Sequence, residues 1–169
     1  MAVYDLEKLI TETRRLAADY RRATGKSLAV GSEIAKHDAC VQLRLEPVNN
    51  DESGGYDAVG TQVPWTDLRI QVKGRAIFDE GKTGQRIGQL KLDKDWDAVV
   101  LVLMDEEFNP FEMYLATRRA LLDALEEDTS KRRNRGAMSV AKFKHIARRV
   151  WTASEGLIPS DVWENQRSQ

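Results

Sequence analysis

Residues 98–104 read Ala-Val-Val-Leu-Val-Leu-Met, an apolar stretch without a polar side chain. It falls far short of the roughly 20 residues a membrane helix needs. A short, branched, uniformly apolar run is the pattern of a strand buried on both faces, which places it centrally in a sheet. The chain around it alternates strand-like and helix-like segments, so the expected class is α/β.

Apolar Leu6, Leu9, Ile10, Leu16, Ala17 and Tyr20 recur at helical spacing from Val3 to Thr24, and Gly25 supplies a stop. A second helix is expected from Gly31-Ser32, with Ser32 as N-cap and Ile34, Ala35, Ala39, Cys40 and Leu43 inward, up to the break at Pro47. Turn formers fill Asn49 to Gly55. Beyond them Tyr56–Val59 and Leu68–Val72 read as an antiparallel pair of strands. Phe111–Ala116 reads as a further strand, and Thr117–Glu126 as a helix with Ala120, Leu121, Leu122 and Leu125 on its apolar side. Ser139 is placed to cap a last helix running to about Val150, a C-terminal extension over about 137–151.

A length of 169 residues suits one domain spanning 1–169, large enough to need no disulfide or metal staple. The single cysteine, Cys40, lies in an apolar-periodic stretch and reads as a structural thiol in a reducing compartment. With no signal-peptide pattern and no membrane span, a soluble cytoplasmic protein is expected. The net charge of −1 means that any contact with a phosphate backbone must come from a local patch.

The chemistry-bearing residues cluster in the hairpin. Gln71 and Lys73 are two apart in a strand and share a face, while Asp57 sits in the partner segment beside glycines. Asp57, Gln71 and the Val72 carbonyl offer oxygen ligands to a hard cation such as Mg²⁺ or Mn²⁺. Phosphodiester hydrolysis needs an activated water, a cation on the attacked phosphate and an offset for charge on the leaving oxygen, and these residue types supply all three. Lys73 is suited to orienting or deprotonating the water, or to stabilising developing charge.

Gly-Tyr-Asp57-Ala-Val followed by Arg-Ile-Gln71-Val-Lys73-Gly resembles the motif of the PD-(D/E)xK nuclease superfamily, in its variant with glutamine before the lysine. Gly31-Ser-Glu33-Ile-Ala matches the glutamate that many members present from a preceding helix. The resemblance covers about residues 30–125. It implies a restriction-endonuclease-like mixed sheet of order αβββαβ, flanked by extra N- and C-terminal helices. It further implies Glu33 and Asp57 as acidic metal ligands, Gln71 at the third side-chain position, Lys73 as the catalytic lysine, and metal-dependent cleavage of DNA. No proline precedes Asp57, and Gln71 stands where an acid is usual. The neutral amide removes a negative charge, which makes Glu33 pivotal for holding a cation. Cutting both strands of a duplex calls for two sites, so a homodimer is expected.

Lys82 and Arg86 in a glycine-rich stretch, and Lys131, Arg132, Arg133 and Arg135 in a basic run, are candidate phosphate contacts beside the plainer reading of solvated loops. No nucleotide-binding loop is present, so no nucleotide cofactor is expected. His37, His145 and the four tryptophans read as surface or packing residues before they read as functional ones. The alternative function is a non-catalytic nucleic-acid-binding or protein-interaction module on the same scaffold.

Overall fold

The computed structural model describes residues 5–49, 53–78, 85–127 and 137–159. It is a mixed α/β fold around a seven-stranded sheet whose strands lie side by side in chain order. Helix α1 (Leu6–Thr24) starts at Asp5, whose side chain accepts from the Lys8 N–H, and ends at Gly25 in the left-handed conformation. Its inner side buries Ile10, Ala17 and Ala18. Helix α2 (Gly31–Leu43) follows with Ile34, Ala35 and Ala39 fully buried. Its N-cap is Val30, without a side-chain hydrogen bond. Ser32, expected to cap it, lies within the first turn because the helix begins at Gly31, two residues earlier than a Ser32 cap would place it.

Strands β1 (Leu45–Pro47), β2 (Ala58–Gly60) and β3 (Arg69–Ala76) form an antiparallel meander, with Ala58 opposite Ile70. Proline is tolerated in β1 because this is an edge strand. Strand β4 (Ala98–Met104) runs parallel to β3 and is buried at every residue, at the centre of the sheet as its composition requires. Its even-numbered side chains face one apolar cluster, with α1 and α2. The odd-numbered Val99, Leu101 and Leu103 face a second, under α3 (Arg118–Glu127) and α4 (Val140–Ile146). Strand β5 (Pro110–Thr117) returns antiparallel beside β4 and leads into α3.

The order departs from αβββαβ in two ways. The crossover from β3 to β4 shows no helix in its described residues 85–97, and β5 intervenes before α3. The C-terminal segment also differs from expectation. Ser139 does cap α4, accepting from the Lys142 N–H, but the helix stops at Ile146. Arg148–Thr152 forms β6 against β5, and Gly156–Leu157 forms β7. Val150 and Trp151 are therefore buried in a strand, not on a helix face. Trp65 and Trp96 are buried as well, in keeping with packing roles, and Trp163 lies outside the described residues. Among the described residues no helix is long and apolar enough to cross a membrane.

Candidate functional site

The site is built where β2 and β3 part company. Their pairing ends at Ala58 and Ile70, with the Asp57 N–H still donating to the Ile70 carbonyl. Beyond that point the edge of β3 is open to side chains. Asp57 turns its carboxylate onto this edge, and Oδ2 accepts from the Val72 N–H at 2.8 Å. A carboxylate thus replaces a backbone carbonyl in the ladder, midway between Gln71 and Lys73. Strand geometry turns the Val72 carbonyl to the same side as its N–H, so it too faces the open edge.

Helix α2 packs across β3 and brings two more charges to this point. Lys36 Nζ lies 3.9 Å from Asp57 Oδ1 and 3.7 Å from Glu33 Oε1. Glu33 projects from the first turn of α2, with its side chain 69 % exposed. Asp57 is nearly buried. The structure therefore gathers Glu33 and Asp57 around one ammonium. Lys36 carries no sequence signal beyond an ordinary i,i+3 surface pair, which is why motif reasoning passes over it.

Lys73 approaches from the other face of the sheet. Its Nζ donates to the Gln89 carbonyl at 2.9 Å, and Gly88 lies against its side chain, so residues 88–89 pass directly over it. Burial lowers the Lys73 pKa below the usual lysine value. Asp57 opposes that shift, while Lys91 and Arg75 add to it. The Asp57 charge therefore acts on Lys73 across the open edge.

Gln71 behaves differently from the other three. Strand alternation aims it at the same face as Lys73, yet it is only 1 % exposed, and neither Oε1 nor Nε2 has a hydrogen-bond partner among the described residues. Leaving a buried amide unpaired costs about 1–3 kcal/mol, so Gln71 is placed to take a water or an ion as its partner. On α2, Cys40 is half-buried, and desolvation, with Asp57 adding to it, pushes its thiol up to about 11, in keeping with an inert structural thiol.

The fit to a divalent cation rests on the donor set. Two carboxylates, a backbone carbonyl and an amide are hard oxygen donors of the kind Mg²⁺ takes, and Mg²⁺ commonly uses only one or two carboxylates with water and phosphate completing its shell. Lys36 already places a positive charge between the two acids. Among the described residues there is no cluster of three or more Asp, Glu, His or Cys suited to a metal, so Glu33 and Asp57 would carry the charge without a third acid.

The peripheral candidates separate from this centre. Arg86 forms an isolated bridge with Ser139, and its carbonyl accepts from Arg75 Nε. Its side chain lines a hollow with Leu125, Met138 and Lys142, which Lys73 does not line. Lys82, Lys131, Arg132, Arg133 and Arg135 lie outside the described residues. His37 is half-buried and His145 exposed on α4, while Arg148 and Arg149, expected beside His145 on a helix, belong to β6. No protein-family profile and no curated protein matches this chain.

Proposed function

We propose that this chain is a metal-dependent nuclease of the PD-(D/E)xK type that hydrolyses DNA phosphodiester bonds. The observation that carries this reading is the Asp57 carboxylate bonded to the Val72 N–H on the open edge of β3. There Lys36 pairs with it and with Glu33 on one side, while its charge acts on Lys73 on the other. A bound Mg²⁺ would supply Lewis acidity at the phosphate and a water of lowered pKa. Asp57 and Glu33 would hold the cation, with the Val72 carbonyl and Gln71 as the neutral donors. Lys73, its ammonium destabilised by burial, is suited to moving a proton at Nζ or to hydrogen-bonding a phosphate oxygen.

A second reading, a DNA-binding module without catalysis, is favoured by Lys36. An ammonium between the two acids offsets one of their two negative charges, and the absence of a third acid among the described residues of the site leaves only one to hold a cation. Cleavage of supercoiled, linear and single-stranded DNA with Mg²⁺ or Mn²⁺ separates the two readings. The nuclease reading expects metal-dependent cleavage that Asp57→Ala and Lys73→Ala each abolish. DNA binding without cleavage by the folded protein, with no metal heat in calorimetry, selects the module.

A further inference from the structure

A cleft of about 510 Å³ opens beside Val72 and Lys73 and runs along the carboxyl ends of the parallel strands β3 and β4. Ligands of open α/β sheets commonly bind outside the carboxyl ends of the strands. The volume lies within the roughly 300–1,000 Å³ of sites that enclose a small organic ligand. Its walls are of two kinds. Lys73 and Arg75 supply positive charge on one side, and Leu28, Ala76, Phe78, Met104 and Phe108 form an apolar wall. Phe78 is half-buried and stands edge-to-face with Phe108 at 5.9 Å. The guanidinium of Arg21 lies 4.3 Å from its ring centroid.

A hydrolytic centre that needed only the backbone of a continuous duplex would have no use for an apolar hollow beside its cations Lys73 and Arg75. The combination present is the one that takes unstacked nucleotides, a cation for the phosphate and an aromatic or aliphatic wall for the base. Resting on the nuclease reading above, we propose that this cleft receives an unpaired nucleobase adjoining the phosphate at Lys73, so that the substrate is single-stranded or locally unpaired DNA. A base in a continuous duplex reaches the hollow only by leaving its stack, which costs a few kcal/mol for a paired base and least for one already unpaired. One copy of the site suffices for such a strand.

The test is binding of a fluorescent single strand and of the same sequence annealed, followed by anisotropy in EDTA so that no cleavage intrudes. The single strand is expected to bind at least about ten-fold tighter, the scale of a single base–aromatic stack. Phe78→Ala should remove most of that preference. Because Phe78 packs on Phe108, a second variant, Ala29→Trp, fills the cleft from an exposed lining position without opening the core. It should abolish the preference while leaving the melting temperature unchanged. Equal affinity for the two forms, or a preference untouched by Ala29→Trp, overturns the proposal. Cleavage run in parallel with Mg²⁺ keeps the two readings apart. Cutting without single-strand preference removes the cleft assignment and leaves the nuclease. Preference without cutting removes the nuclease and leaves a cleft for unpaired DNA.

Discussion

Lys36 Nζ stands 3.9 Å from Asp57 Oδ1, and the same ammonium reaches Glu33 Oε1 at 3.7 Å. A lysine thus holds the position between two carboxylates where a divalent cation would be held. The two cations compete for the same negative charge. Replacing the ammonium by an uncharged chain of similar length, Lys36→Met, should therefore raise Mn²⁺ affinity. Partly exposed ion pairs are worth up to about 1 kcal/mol, so the gain should be about five-fold. Calorimetric titration checks it, with Glu33→Gln in the same background returning the affinity to or below its starting value. An affinity unmoved by Lys36→Met would show that the acids do not bind the ion there.

Lys73 should titrate below the usual lysine value, because burial outweighs the help of Asp57. Asp57→Asn removes that help, so the Lys73 pKa should fall further in the variant. The linkage follows from the direction. Between the lowered folded value and 10.5 the unfolded chain binds more protons, so this group's contribution to stability increases as pH rises through that window. Selective isotope labelling of lysine with an NMR titration at Nζ reads both values. A Lys73 titrating at or above 10.5, or rising in Asp57→Asn, contradicts the arrangement at the open edge.

Much of this arrangement is legible in the sequence because it depends on local periodicity. The stop of α1 at Gly25, the double burial of residues 98–104 and the antiparallel facing of Asp57 toward Gln71–Lys73 follow from spacing alone. Other features depend on what covers a face, which spacing does not encode. Period-two alternation puts Gln71 with Lys73 but says nothing of a lid, and the passage of residues 88–89 over Lys73 comes from the crossover. Lys36 three residues after Glu33 looks like any solvent-exposed pair until β2 delivers Asp57 beneath it. The departure at β6 has a similar cause. Ile146 to Val150 is a helical i,i+4 step and no Gly or Pro interrupts it, yet extended Ala147 ends the helix and Val150-Trp151-Thr152 complete the sheet.

Asp38 and Arg14 tie the first two helices together. Asp38 is buried and takes Arg14 in bidentate fashion, at 2.8 and 3.0 Å, while the same guanidinium donates to the Phe108 carbonyl. Asp38→Ala leaves a largely buried guanidinium without its counter-charge, a loss of about 3 kcal/mol. The double variant Asp38→Ala with Arg14→Met should recover part of it, since no uncompensated charge remains. Urea unfolding of the parent, Asp38→Ala, Arg14→Met and the double variant measures the coupling, and additive losses would mean that the pair contributes no more than its separate contacts.

Gly74 lies where α2 crosses β3, and the closeness of that crossing sets the position of Glu33 and Lys36. A Cβ at residue 74 would come within 2.5 Å of the Ala35 Cβ and 3.3 Å of the Gly31 carbonyl oxygen. Neither neighbour can rotate away, so Gly74→Ala must push α2 off the strand. Overpacking of this kind costs about 1–3 kcal/mol. A control separates displacement from simple loss of a glycine. Gly25 has φ +73°, and a Cβ there would meet nothing within 4 Å, so Gly25→Ala carries only backbone strain, about 1 kcal/mol. The two variants can therefore be compared at similar stability. Gly74→Ala should weaken Mn²⁺ binding several-fold, because the helix carrying Glu33 and Lys36 has moved relative to Asp57, whereas Gly25→Ala should bind the ion like the parent. Equal binding by both would place the cation outside the reach of α2 and remove Glu33 from the site.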